Sequence, residues 1–251
     1  MKRIADGVYS IGQRKGGHVH AFLLEGDSGL TLIDTLYDID AHLVLDAMGR
    51  INKEVADLEH ILLTHGHRSH LGGLAFLKIQ SGATVYAHEW EMDIIAGERI
   101  AQPVPMWPMR PLKAYWRVYH LQLGAALGRG KHPPCPVDRP LKGGEQVGPV
   151  QVIHTPGHSP GHLAFYCKER KILFVGDAIV TYPVFSAGWP AFTLNPMQHQ
   201  DSLRRIADLV AEHHLEVVAV GHGEPITKGA AERVLALAQS AGKRPLEHGG
   251  G

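Results

Sequence analysis

The stretch Leu62–Gly73, LLTHGHRSHLGG, decides how the rest of the chain is interpreted. It follows an apolar run and carries histidines at positions 65, 67 and 70. Two residues that are two positions apart in an extended segment project to the same side, and a third at the start of a helix can face them. Neutral imidazole is the commonest metal ligand in proteins. The spacing therefore indicates a metal site, and the alternative is a histidine-rich surface loop.

Three later motifs supply further candidate ligands. His158 lies in TPGHSPGH, Asp177 ends the apolar run KILFVGD, and His222 lies in AVGHGEP. With the first loop, this ordered set resembles the metallo-β-lactamase superfamily, whose pattern is HxHxDH followed by a distant His, Asp and His. The resemblance covers nearly the whole chain, from LTLIDT (residues 30–35) to GHGEP.

The resemblance implies two adjacent metal positions. The first would be a zinc site with an open fourth position, held by His65, His67 and His158. Asp177 would bridge to a second ion, held by His70 and His222. Paired ions can hold a hydroxide nucleophile and polarise a substrate carbonyl, which makes Asp177 and His70 catalytic as well as ligating residues.

Ser69 is the one departure from the pattern, because the family has an aspartate there that normally ligates the second metal. A hydroxyl offers only a neutral oxygen or a contact through water, and it removes one negative charge from the site. Ser69 is therefore the third residue expected to take part in catalysis. We expect one tight Zn²⁺ and a second that binds more weakly, with iron or manganese as alternatives.

Composition restricts the class of partner. The 251 residues include 25 basic and 25 acidic side chains without a long run of either sign, which argues against nucleic acid and anionic membranes. The N-terminus lacks an apolar signal sequence, no stretch is long enough to span a bilayer, and two cysteines are too few for a disulfide framework. We expect a cytoplasmic protein acting on a small molecule.

Strand and helix patterns alternate along the chain. Apolar runs predict strands near residues 4–35, 60–64, 83–88, 151–155, 163–176 and 216–220, with helices at 38–57, 71–82, 201–214 and 230–241. Strands in two groups, each followed by helices, suit two sheets flanked by helices. The resemblance implies an αββα four-layer sandwich, which we assign to residues 1–240 as one domain, followed by a flexible tail at 241–251.

Residues 91–140 depart from a minimal version of this fold. A proline-rich segment, PVPMWPMRP, is followed by a predicted helix with one apolar face comprising Leu112, Tyr115, Trp116, Tyr119 and Leu123. Such a helix could pack on its own domain, cap the active-site cleft or form the interface of a homodimer.

An uncharged, aromatic stretch follows Asp177, from Val180 to Gln198. Together with the possible cap it suggests an apolar substrate. The predicted substrate-pocket residues are Trp116, Tyr182, Phe185, Trp189 and Phe192.

Two other polar residues have structural interpretations. The resemblance makes Asp34 a residue that orients a ligand or its loop, and the alternative is an aspartate that starts the next turn. His88 closes a strand and is interpreted as structural, because the site already has its ligands.

The favoured function is hydrolysis of an ester, lactone, thioester or lactam by metal-bound hydroxide. Only 29 residues follow His222, which leaves no room for the C-terminal glutathione-binding helices of glyoxalase II. A β-lactamase remains an alternative, although such an enzyme would be expected to carry an export signal and none is visible. A second hypothesis is a mononuclear-iron persulfide dioxygenase, using His65, His158 and Asp177. A third is a degenerate binder without catalytic activity, which the other six site positions argue against.

Overall fold

The computed structural model describes residues 1–101, 103–127 and 131–241. The predicted tail lies outside these residues from position 242 onward. Seven strands form the first sheet, in the spatial order β1 to β7. They are β1 (Lys2–Ala5), β2 (Val8–Gln13), β3 (Val19–Glu25), β4 (Leu30–Ile33), β5 (Leu58–Leu62), β6 (Thr84–His88) and β7 (Arg139–Leu141). Neighbours are antiparallel from β1 to β4 and parallel from β4 to β7.

Five strands form the second sheet, in the order β12-β11-β10-β9-β8. They are β8 (Gln146–Val147), β9 (Val150–His154), β10 (Leu163–Cys167), β11 (Ile172–Gly176) and β12 (Val217–Val220). Only the β11–β12 pair is parallel among these described strands.

The helices in the described part of the chain are α1 (Lys15–His18), α2 (His42–Gly49), α3 (Leu74–Ser81), α4 (Met92–Ile95), α5 (Leu112–Tyr115), α6 (Tyr119–Ala126), α7 (Pro196–Glu212) and α8 (Ala230–Ala241). The 3₁₀ turns are Val55–Asp57, Arg68–His70, Glu89–Glu91, Trp116–Val118 and Pro190–Phe192. None of the described helices is both long and apolar enough to cross a membrane.

The protein has four layers: helices α2 and α3, the first sheet, the second sheet, and helices α7 and α8. An apolar core lies between each pair of adjacent layers. Because side chains alternate along a strand, Leu23 and Leu32 pack towards α2 and α3. Their neighbours Phe22 and Ile33 pack between the two sheets, where they join apolar side chains of β9, β10 and β11. The other face of the second sheet packs against α7 and α8. Strands buried on both faces read as continuous apolar runs, as in HILL. The αββα sandwich predicted from the sequence is confirmed.

The predicted site residues follow the ends of these central strands. Asp34 follows β4, and the HGHRSH loop follows β5, which runs parallel to it. Asp177 directly follows β11, and His222 lies two residues beyond the parallel strand β12. Carboxyl ends of adjacent parallel strands lie at one edge of a sheet, so the topology brings the motifs together at that edge.

The helix predicted at 38–57 is shorter than expected. It begins at His42 and ends at Gly49, and Asn52 beyond it has a left-handed φ of 57°. Glycine and asparagine are the residues that most readily end a helix in this way.

The predicted apolar helix face at residues 112–123 is wrong. A 3₁₀ turn separates α5 from α6, and its different rotation per residue breaks the periodicity on which the prediction rested. Tyr115 is buried, but Trp116 is 63% exposed and Leu112 and Leu123 are also exposed. The segment packs on its own domain, where Tyr115 joins a small cluster that includes Trp189. Its role as a cap or dimer interface stays a prediction.

Candidate metal centre

Three imidazoles converge after β5 and β9. His67 Nδ1 lies 3.0 Å from His65 Nε2 and 3.0 Å from His158 Nε2. One carboxylate oxygen of Asp177 completes a group whose potential ligand atoms all lie within 4.8 Å of one another. His65, His158 and Asp177 are almost fully buried. This group is called the first cluster below.

His70, Asp177 and His222 form the second cluster. Asp177 Oδ1 lies 3.4 Å from His70 Nε2, and Asp177 Oδ2 lies 3.2 Å from His222 Nε2. The same Oδ2 lies 3.8 Å from His65 Nε2 and 3.6 Å from His158 Nε2. Asp177 therefore stands between the two clusters, as the resemblance implies.

The chemistry of these atoms fits divalent cations. Buried polar atoms in proteins are almost always paired, yet His70 Nε2 and Asp177 Oδ1 have no hydrogen-bond partner among the described residues. Five imidazoles and one carboxylate form a nitrogen and oxygen donor set that suits zinc and also iron or manganese. All six predicted ligands are brought together, and their binding of metal stays a prediction.

Hydrogen bonds on the far side of three of the rings fix which nitrogen faces the centre. Asp34 Oδ2 accepts from His70 Nδ1 at 2.9 Å, and the Gly17 carbonyl oxygen accepts from His222 Nδ1 at 2.9 Å. His65 Nδ1 lies 2.9 Å from the Thr64 hydroxyl, which in turn donates to Asp34. Such partners leave Nε2 of each ring free for an ion and hold the ring in place. Asp34 thus orients a candidate ligand and its loop.

Burial and neighbouring charges set the protonation of the ligands. Burial, reinforced by the adjacent imidazoles, lowers the pKa of His65 well below its usual value, so this ring is neutral. Burial would raise the pKa of Asp177, but the imidazoles of His222 and His70 hold it well below its usual range. Burial opposes the charged form of His70 too, yet the carboxylates of Asp34 and Asp177 raise its pKa to about 10. The carboxylate and His65 are therefore ready to bind a cation without losing a proton.

Ser69 occupies the middle of the 3₁₀ turn Arg68–His70. Its side chain is partly exposed and forms no hydrogen bond to any residue in the described ranges. The second cluster therefore contains one carboxylate, which it shares with the first.

We expect Ser69→Asp to raise affinity for the second ion, because it adds a negative oxygen ligand beside His70. The wild-type protein should lose metal in two phases during dialysis against a mild chelator, from near two ions per chain to near one. The variant should retain the second ion at chelator concentrations that remove it from the wild type, as measured by elemental analysis.

Ser69→Ala serves as the matched control and should resemble the wild type in its metal content. Cooperative loss of both ions from the wild type would contradict the claim that Ser69 weakens binding of the second ion. So would an affinity for the second ion that is unchanged in Ser69→Asp.

The predicted pocket residues occupy different surroundings. Trp189 is buried and stacks on His222 at 4.3 Å between ring centroids. Phe192 meets the His67 ring edge-on at 6.2 Å, and Tyr182 accepts a hydrogen bond from Trp189 Nε1 through its carbonyl oxygen. The rings of Trp189 and Phe192 therefore contact candidate ligands, whereas the ring of Tyr182 stacks on His18.

Phe185 lies away from the two clusters. It lines a cavity of about 640 Å³ between α7, α8 and the loop before α7, and none of the six candidate ligands lines this cavity. Trp116, exposed on its 3₁₀ turn, contacts the guanidinium of Arg117. The structure therefore gives these two residues no contact with the clusters, unlike Trp189 and Phe192.

Sequence reasoning missed three buried residues beside the ligands. His162 Nε2 accepts from the backbone N–H of Asp177 at 3.1 Å, and its Nδ1 lies 2.8 Å from the Thr155 hydroxyl. His199 Nε2 lies 2.9 Å from the carbonyl oxygen of Ala178. The repeated GH in GHSPGH was a signal for His162, whereas nothing in the pattern of α7 marks His199. The third residue is Glu91, whose carboxylate accepts hydrogen bonds from the backbone of Gly66 and Gly161.

Comparison with known proteins places the chain among relatives of this architecture. The Bacillus subtilis (strain 168) protein YobT is 27% identical over 235 residues, covering 90% of this chain and 91% of its own. The human acyl-coenzyme A thioesterase MBLAC2 is 27% identical over 264 residues, covering 95% and 85%. The crystal structure of TTHA1623 in a di-iron-bound form matches with a TM-score of 0.62 at 28% identity, covering 90% and 98%.

The chain also matches a family model over a range that includes all six candidate ligands. The model of the metallo-beta-lactamase superfamily matches residues 14–222, a span that begins before β3 and ends at the last candidate ligand. Since that span is most of the chain, and the fold and relatives agree with it, the protein is a metal-dependent hydrolase that belongs to the metallo-beta-lactamase superfamily.

Proposed function

We propose that this protein hydrolyses acyl thioesters or related esters that carry an apolar acyl group. The observation that carries the proposal is the aromatic surface at the clusters, where Trp189 stacks on His222 and Phe192 meets His67. Binding sites for small molecules combine apolar walls with a few polar groups that fix orientation. Here the polar groups are the candidate ligands themselves.

Divalent ions at the two clusters would activate water near neutral pH and polarise the substrate carbonyl. The chain supplies the geometry for this chemistry. His65, His67 and His158 provide neutral nitrogens from two separate loops, and Asp177 provides the shared negative charge. The buried Trp189 excludes water from one side of the second cluster, and the partly exposed Phe192 presents apolar surface to the acyl group.

The comparisons support a thioester in particular. MBLAC2, a relative that this chain matches over most of both lengths, is named as an acyl-coenzyme A thioesterase. The absence of long runs of charge on this chain is compatible with an apolar acyl group as the recognised part of the substrate.

A substrate panel tests the proposal. Metal-loaded protein should hydrolyse acyl-coenzyme A thioesters and aryl esters of medium-length fatty acids faster than lactones or a chromogenic cephalosporin. Release of free thiol from the thioester, followed with a thiol reagent, measures the rate. Hydrolysis of the cephalosporin alone, without any turnover of thioesters or esters, would contradict the proposal.

We expect Phe192→Ala to raise KM for long acyl chains more than for short ones, with kcat little changed. Losing one apolar wall contact is worth about 1–3 kcal/mol, or roughly 5- to 150-fold in kcat/KM. A change confined to KM identifies binding that is equal in the ground and transition states. Steady-state kinetics across a series of chain lengths provides the measurement.

Phe76→Ala is the matched control, since Phe76 lies on α3 and is partly exposed. Loss of metal from Phe192→Ala, or an equal effect on all chain lengths, would mean that Phe192 supports the loop and does not contact the acyl group.

A further inference from the structure

Glu91 is a buried carboxylate outside both ligand clusters. It ends the 3₁₀ turn Glu89–Glu91 after β6 and is 1% exposed. It forms no ion pair with any described residue, since the nearby Arg99 is paired with Asp93. A buried charge of this kind is costly unless its oxygens are satisfied by hydrogen bonds.

Its two oxygens accept hydrogen bonds from two different loops. Glu91 Oε2 accepts from the backbone N–H of Gly66 at 3.0 Å, and Oε1 accepts from the N–H of Gly161 at 2.9 Å. Gly66 lies between the candidate ligands His65 and His67, and Gly161 lies three residues after His158. One carboxylate thus joins the two loops that supply all three nitrogens of the first cluster.

Both glycines fit closely against this carboxylate. A Cβ added at Gly66 would lie 2.9 Å from Glu91 Oε2, and one added at Gly161 would lie 2.7 Å from Glu91 Cγ. Cβ atoms essentially never approach other heavy atoms this closely, so a side chain at either position would require Glu91 to shift. The absence of a side chain at both positions lets the backbone of each loop reach the carboxylate.

Neighbouring histidines fix the turn that carries Glu91. His88 Nδ1 accepts from the backbone N–H of Trp90, and the His88 ring stacks on His154 at 4.4 Å. His154 ends β9, and its Nε2 lies 2.9 Å from the carbonyl oxygen of Pro160 in the His158 loop. The turn is therefore held against the same loop that Glu91 contacts.

We propose that Glu91 is a positioning residue that sets the separation of His65 and His67 from His158 and so determines metal affinity at the first cluster. Its two backbone partners are N–H donors that meet different oxygens, so both oxygens must accept, which a carboxylate allows and an amide in the same place does not. The inference rests on metal binding at the site, which the proposed function also requires, but not on the reaction catalysed.

Glu91→Gln is the direct test. The amide has nearly the same shape, but its NH₂ group would face one backbone N–H and release that loop. Removing partners that orient metal ligands typically lowers affinity 10- to 100-fold. We expect a loss of this size for the first Co²⁺ ion, measured by competition with a chromophoric chelator. The visible absorption spectrum of bound Co²⁺ should also change, because the angles between its ligands change.

Two further variants complete the design. Glu89→Gln is the matched control, since Glu89 lies on the same turn but is exposed and faces Lys142. It should bind the first ion as the wild type does. Glu91→Asp keeps the charge but is one methylene shorter, so it should reach one loop and lose part of the affinity even if the glutamine variant does not fold.

The outcomes separate positioning from general support of the fold. Thermal unfolding of each metal-free variant shows how far the substitution weakens the fold itself. If Glu91→Gln or Glu91→Asp folds and binds the first Co²⁺ ion with wild-type affinity and spectrum, the inference is overturned, whatever the unfolding temperature. If the wild type binds no metal, the proposed function itself is contradicted. That result differs from wild-type metal affinity in the Glu91 variants, which would contradict only the role of Glu91.

Discussion

His67→Ala should lose the first metal ion and reduce kcat/KM for thioester hydrolysis by about 10³-fold or more. His67 Nδ1 lies between the Nε2 atoms of His65 and His158, so its removal leaves the first cluster without its central nitrogen. Stabilisation of transition-state charge by a bound ion is worth several kcal/mol, and about 4 kcal/mol corresponds to a factor of 10³. Metal analysis and steady-state kinetics of the same preparation provide the measurement.

The same variant discriminates between the hydrolase and the alternative oxidoreductase. A mononuclear iron site built from His65, His158 and Asp177 does not require His67, so iron should remain bound in its absence. His42→Ala is the matched control, because His42 is exposed at the start of α2 and contacts Asp40. Full metal content and activity in His67→Ala would contradict the assignment of the first cluster.

Asp177→Asn should affect both ions together. Asp177 is the carboxylate that the two clusters share, with oxygens 3.2–3.8 Å from four imidazole nitrogens. The amide has nearly the same shape, but it removes the negative charge that would compensate the two cations. We expect neither ion to be retained through gel filtration, and turnover to fall by about 10³-fold or more, as for loss of the ions themselves.

An exposed aspartate provides the control for this substitution. Asp201 lies on α7 and pairs with Arg204 at the surface, so Asp201→Asn should keep both ions and full activity. Retention of one ion at wild-type affinity in Asp177→Asn would show that the carboxylate belongs to a single cluster.

Much of this architecture could be predicted from the sequence for physical reasons. The ligand motifs are short and follow apolar runs that are buried on both faces, so the strands and the site at their ends are visible together. The helix predicted at residues 71–82 is present as α3, which ends at Ser81 and is followed by Gly82 in a left-handed conformation. The αββα layers followed from the resemblance, and the alternation of side chains in β3 and β4 accounts for them.

Other features depend on contacts that a linear pattern does not contain. The 3₁₀ turn at Trp116–Val118 broke a helical face that looked continuous, and it left Trp116 exposed. Glu91 is one of several charged residues in its segment, and no motif marks it. Its contacts with the two ligand loops form only when folding brings Gly66 and Gly161 against it. Phe185 belongs to the same aromatic stretch as Trp189 and yet lines a cavity that none of the six candidate ligands lines.

The most direct test of the central claim is a metal titration of metal-free protein with activity measured at each step. Zn²⁺, Mn²⁺ or Fe²⁺ is added with and without oxygen, while thioester hydrolysis and oxygen consumption are followed together. We predict that hydrolysis appears as metal binds, reaches its maximum near two ions per chain and is indifferent to oxygen. Protein that hydrolyses nothing with any of these metals, but consumes oxygen when loaded with iron, would contradict the account.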